Sequence, residues 1–336
     1  MARKVDTSDI PPVGGAASKR IPRTGAAAVI VDVLHSGRSG DRRMDLAKMT
    51  STGSVATSWL RPIAAGGAPP FTRSGQIVHP SRRLSELVQG RPPGVTGNQW
   101  STAIRESFDQ VVCAADSGRP RFAVEFAPPA APGSPARRAE RMTNTVCAAV
   151  GLPVLRVESP TLRGADHARR LVEYVIDARA YAAGIGPESG YAVGFRDIVG
   201  RLPDGRSGPV NDLGALARAA AVEAYVERRL ADPIVRGLHV CWTDGPAEGW
   251  SWVEVRPGRC LVERVQLFAQ RLSCGVPPGR LAEDLAVVAV GERLRDREGA
   301  EPPLVDRDEL REQIRRLAAR RDEFDGGFAF DHLCAD

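Results

Sequence analysis

The stretch FDQVVCAADSGRPRFAVEFAPPAAPGSPARRAERMTNTVCAAVGLPVLRV, residues 108 to 157, decides how the chain folds. Residues 108 to 114 form a short apolar run, and Asp116, Ser117 and Gly118 after it are turn formers. A second run, RFAVEFA, follows at once, so the pair reads as an antiparallel hairpin. Its period of two puts Phe122, Val124 and Phe126 on one face and Arg121, Ala123, Glu125 and Ala127 on the other. Glu125 is therefore a carboxylate in mid-strand between small residues. Pro128, Pro129, Pro132 and Pro135 interrupt the chain, after which Met142, Val146, Ala149 and Val150 recur at helical spacing up to a stop at Gly151. Val154 to Val157 then reads as a strand reached by a crossover, long enough for parallel pairing and expected to be right-handed.

This order of pieces resembles the core of the restriction-endonuclease-like nucleases, the PD-(D/E)XK superfamily. More narrowly the chain resembles a bacterial family of unassigned activity within it, which carries an Asp in "FD-V-V", a strand like "AIE-D" and a helix closing on "AGLPLLR". The counterparts are FDQVVC (108 to 113), FAVEFA (122 to 127) and CAAVGLPVLRV (147 to 157), and IVHPSRRLSELVQ looks like the strand and helix before the hairpin. The resemblance spans roughly residues 75 to 183. It implies an α/β fold with a restriction-endonuclease-like core of the αβββαβ type. It also implies a Mg²⁺ site in which Asp109 and Glu125 are the metal ligands, while a lysine positions or deprotonates the attacking water.

The chain departs from that pattern at the lysine. Two residues after Glu125 stands Ala127, and the window on the following helix holds Thr143 and Asn144. The only lysines are Lys4, Lys19 and Lys48. Arg141 is the candidate replacement cation, yet a guanidinium keeps its proton at neutral pH and cannot serve as general base. A degenerate site follows. The two acids also have a purely structural reading: Asp109 caps a strand start, and Glu125 pairs with Arg121 or Arg156 or faces water.

With 336 residues, 43 % of them apolar, the chain has room for two domains with cores of their own. Its net charge of +5, from 46 basic and 41 acidic residues, permits a polyanionic partner without demanding one. Six widely spaced cysteines, without a C-x-x-C pair, give no zinc site and suit reduced thiols. GAAAVIVDVL is broken by Asp32 and falls short of the roughly 18 apolar residues a membrane span needs. The expectation is a soluble, cytoplasmic protein without a membrane partner.

Four regions are expected: a low-complexity segment over 1–73, the nuclease-like domain over 74–184, an appended α+β region over 185–300, and a charged helix and tail over 301–336. Asp166 is placed as the N-cap of the helix that ends the nuclease-like domain, with His167 on its surface. Leu213, Leu216, Ala220, Ala224 and Val226 mark a later helix, and HVCW with WSWVEVRPG marks a hairpin whose Trp250 and Trp252 read as core. A helix from Pro278 to Leu294 follows, then one capped by Asp306 in a box with Glu309. Two function classes stay open. One is a weakly active Mg²⁺-dependent nuclease, and the other a nuclease-derived module that binds DNA, RNA or a protein partner without cutting.

Overall fold

The computed structural model describes residues 59–64, 68–184, 199–201, 207–209, 212–296 and 303–326. The low-complexity segment up to residue 58, most of the YAVGFRDIV stretch and all three lysines lie outside the described residues.

The hairpin forms along the expected alternation. β3 (Ser107–Ala114) and β4 (Pro120–Ala127) pair antiparallel, with Val112 opposite Phe122 and Gln110 opposite Val124. Phe122 and Val124 point to one face, where α4 (Gly164–Gly184) and α6 (Pro278–Arg295) cover them with Leu171, Val175, Leu281 and Leu285. Ala123 points to the other face, under α3 (Pro135–Val150). That helix starts on Ser134, whose hydroxyl accepts the Arg137 N–H, and stops at Gly151 with φ of 75°. Its buried stripe is Thr143, Val146, Cys147 and Val150, while Ala149 is exposed. β5 (Val154–Glu158) then lies parallel to β4.

Upstream, β1 (Phe71–Arg73) and β2 (Gln76–Arg83) continue the sheet on the outer side of β3. The αβββαβ order has its first helix ahead of three strands. Among the described residues, α1 (Leu84–Leu87) and α2 (Gly97–Ala103) instead fall between β2 and β3. Local capping places them there: Glu86 accepts the Arg83 N–H at the end of β2, and Thr96 and Gln99 form a capping box for α2.

Beyond residue 184 a small pair, β6 (Val199–Arg201) and β7 (Ser207–Pro209), makes a sheet of its own. α5 (Ala215–Val226) packs against α6, with Leu216 and Val226 exposed rather than on its buried stripe. The expected hairpin is β8 (Arg236–Cys241) with β9 (Ala247–Arg256). The strand that reorganises the architecture is β10 (Arg259–Gln270), which pairs antiparallel with β9 and, at its far end, with β5. One sheet therefore runs β1-β2-β3-β4-β5-β10-β9-β8, and the C-terminal strands extend the first sheet across residue 184 instead of forming an appended region. Its twelve residues let β10 reach both neighbours. β11 (Val305–Asp306) adds to β10, and α7 (Arg307–Ala318) buries Leu310, Ile314 and Leu317 against Trp250 and Trp252, which are core as expected.

Two helix starts differ from expectation. α4 begins at Gly164, so Asp166 lies inside its first turn and does not cap it. Asp306 does cap α7, accepting the Asp308 N–H, but Glu309 is engaged by Gln313 and not by the cap. No helix among the described residues is long and apolar enough to cross a membrane.

Candidate functional site

Asp109 and Glu125 stand on adjacent antiparallel strands, one step past the last ladder pair, Gln110 with Val124. Asp109 is half-buried where β3 leaves the ladder, and its Oδ2 accepts the Phe126 N–H at 2.7 Å. The side chain thus satisfies a backbone donor that the strand no longer reaches. Gly164, the first residue of α4, lies against the same carboxylate, so Asp109 sits at the positive end of a long helix. Burial holds its carboxyl above the ordinary range, and the Phe126 N–H offsets part of that rise.

Glu125 is opposite Arg156 in the parallel β4–β5 register, and the two meet across the strands. Its Oε2 accepts from Arg156 Nη2 at 2.8 Å and from Nε at 3.2 Å. Arg156 is 3 % exposed, and its remaining nitrogen reaches Asn144 Oδ1 and Glu140 Oε1, each at 3.0 Å. Glu140 in turn meets Arg137, and Arg137 holds Glu158 through both carboxylate oxygens. The result is a chain of alternating charge, Glu125–Arg156–Glu140–Arg137–Glu158, running under α3. Burial pushes the Glu125 carboxyl up, Arg156 pulls it back, and the neighbouring Glu106 and Asp109 charges push it up further.

Arg141, the expected replacement cation, is exposed on the solvent side of α3 and takes no part in this network. The buried stripe of α3 sets that orientation, and it leaves Arg156 as the guanidinium at Glu125. Asn144, in the window where a lysine was sought, is a ligand of that guanidinium. His167 is half-buried rather than fully exposed. The Arg163 N–H donates to its Nδ1 at 3.0 Å, Nε2 lies 3.2 Å from Glu292 on α6, and the ring packs 6.3 Å from Phe126.

Mg²⁺ wants several oxygens free to turn toward it in near-octahedral geometry. Here Glu125 is held by an arginine and Asp109 by a backbone amide, both carboxyls keep their protons more tightly than usual, and a fixed positive charge stands beside them. Among the described residues no group of three or more His, Cys, Asp or Glu is placed to hold a metal ion. The residues present do not fit Mg²⁺.

The network partners Arg137 and Glu140 escaped the sequence reading, and Asn144 entered it only as a position without a lysine. Their spacing of i, i+3 and i+7 marks a single face of α3, and Arg156 and Glu158 alternate on the strand beneath it. Glu106, just ahead of β3, was also missed. No family model matches this chain, and no curated protein or solved structure matches it either.

Proposed function

We propose that the chain is a restriction-endonuclease-like protein that does not cut, and that it works as a nucleic-acid-binding module. The hairpin of β3 and β4, the crossover through α3 and the parallel β5 support the nuclease-like reading. The observation that carries the loss of cleavage is the Arg156 fork on Glu125. A guanidinium supplies the positive charge that a metal would bring, without a coordination site for water and without a proton to exchange.

Binding is favoured by exposed arginines on the elements that bracket Glu125. Arg105, Arg138 and Arg141 are exposed and enter no ion pair among the described residues, which leaves their charge available to phosphates. The test is a titration of the full chain with DNA and with RNA over a range of salt. Phosphate binding requires affinity that falls as salt rises. No affinity for either nucleic acid at low salt would turn the reading to a protein partner.

A further inference from the structure

α2 and α3 lie side by side, with Asn98 Nδ2 3.7 Å from Met142 Sδ, and their outward positions form one surface. On α3 the exposed positions Arg138, Arg141, Thr145 and Ala149 recur at i, i+3, i+7 and i+11, and on α2 Asn98 and Ser101 lead at the same spacing to Arg105 just past the helix end. Arg91 reaches the start of α2, its guanidinium against Gly97. Arg91, Arg105, Arg138 and Arg141 are all exposed, and none of them enters an ion pair among the described residues.

What this surface lacks narrows its partner. α2 carries no acid, and the one acid of α3, Glu140, turns inward to Arg137 and Arg156. Glu106, beside Arg105, is half-buried. α7 is the contrasting case: its Arg311, Arg315 and Arg316 each pair with an acid about one turn away, which makes a self-neutralised solvent face. Trp100 is the one aromatic residue of α2 and α3, and it packs against the core under α3. Proteins that hold single strands stack bases on accessible rings, and modules that read RNA sequence do the same with unpaired bases. A surface of unneutralised arginines with an amide among them and no exposed ring has groups for phosphates and none for splayed bases.

We propose that the α2–α3 face holds the sugar-phosphate backbone of double-helical DNA without reading its sequence. The inference rests on the nucleic-acid-binding reading and adds to it the surface and the strandedness. From Arg138 to Thr145 α3 advances about 10 Å at 1.5 Å per residue, which matches about three base-pair steps of a duplex. Modules that recognise duplex RNA by shape reach over about 16 base pairs, whereas the 16 residues of α3 come to about 24 Å end to end. The face therefore suits one short stretch of duplex backbone, with Arg138 and Arg141 from α3 and Arg91 and Arg105 from the two ends of α2 as its phosphate contacts.

The probes are a short fluorescein-labelled DNA duplex made in two unrelated sequences, an oligothymidine strand of the same length and an RNA duplex, each titrated with the full chain at low salt and read by anisotropy. The DNA duplex is expected to bind about fivefold or more tighter than the single strand, because it carries more phosphates per unit length, and its two sequences to agree within about twofold. This comparison uses the unaltered chain. Ser101 and Thr145 are exposed, and their hydroxyls bond back to carbonyls of their own helices, so Ser101→Glu with Thr145→Glu puts two acids on the surface without entering the core. That variant should hold the DNA duplex about fivefold or more weakly, while Arg315→Ala with Arg316→Ala on α7 should bind as the unaltered chain does. Equal or tighter binding of the single strand or the RNA duplex, a strong difference between the two sequences, or an affinity left intact by the two added acids would each overturn the duplex surface and leave nucleic-acid binding standing. Binding of none of the probes would overturn both.

Discussion

Gly164 stands so close to Asp109 that a β-carbon added to it would overlap the carboxylate. Glycine to alanine in a helix ordinarily gains about 1 kcal/mol of propensity. Here the added methyl has to displace Asp109 from the Phe126 N–H or move α4 off the sheet. Gly164→Ala is therefore expected to destabilise by roughly 1–3 kcal/mol, the usual cost of overpacking. Urea unfolding measures it, and a double-mutant cycle with Asp109→Ala should recover much of the loss. Additive effects of the two substitutions would break the link between them.

Arg156 serves two acids, Glu125 and Glu140, inside the fold. Removing it leaves Glu125 with no other ion-pair partner among the described residues. Arg156→Ala should cost about 3–5 kcal/mol, the range for breaking a buried ion pair from one side. Replacing the pair together, Arg156→Met with Glu125→Leu, should cost much less, because an apolar pair of similar volume needs no charge compensation. Equal losses in the two variants would mean that packing, not charge, sets the cost.

The raised Asp109 carboxyl gives a signed dependence on pH. Its folded-state pKa lies above the ordinary value, so its contribution to stability is present below the unfolded pKa and lost as pH rises through the folded one. Asparagine keeps an oxygen for the Phe126 N–H and does not titrate. Asp109→Asn, compared with the unaltered chain, should thus be relatively more stable near neutral pH than near ~pH 4. The check is the difference in urea midpoint at the two pH values, and a constant difference would contradict the assigned cause.

How much of this was legible in the sequence depends on how each residue is buried. The hairpin, α3 and β5 followed from alternation because Phe122, Val124 and Val157 are apolar and all face one core. β10 did not, because its inward face reads Leu261, Glu263, Val265, Leu267, with a charge in the middle of the period. That glutamate is tolerated only because Arg293 and Thr161 arrive from distant elements. Such compensation is long-range and leaves no local signal. The same holds at the site: Glu125 could be named from its strand, but the choice of Arg156 over Arg121 or Arg141 rests on which strands become neighbours.

A phosphate-binding role for the exposed arginines makes a prediction in salt. Each lost phosphate contact should lower the steepness of the affinity against salt by about one contact's worth and weaken binding similarly across sequences. Arg138→Ala and Arg141→Ala are the variants, since both side chains are exposed on α3 and their loss leaves the buried network intact. Unchanged slopes in both would remove α3 from the interface.

The absence of cleavage is the most exposed of the expectations. Positioned acid/base help alone is typically worth about 10² to 10⁴ in rate, and Arg156 can provide none of it. With Ala127 in place of the lysine and Glu125 held by the guanidinium, the purified chain with Mg²⁺ should leave duplex DNA intact over hours. Ala127→Lys alone should not restore cutting, because Arg156 still occupies Glu125. The combination of Ala127→Lys with Arg156→Ala frees the carboxylate and is the variant in which weak Mg²⁺-dependent nicking is expected. Brisk cleavage by the unaltered chain that disappears in Glu125→Ala would show that the Arg156 fork opens during turnover and would overturn the non-cutting proposal. Cleavage that survives Glu125→Ala would place the chemistry at other residues altogether.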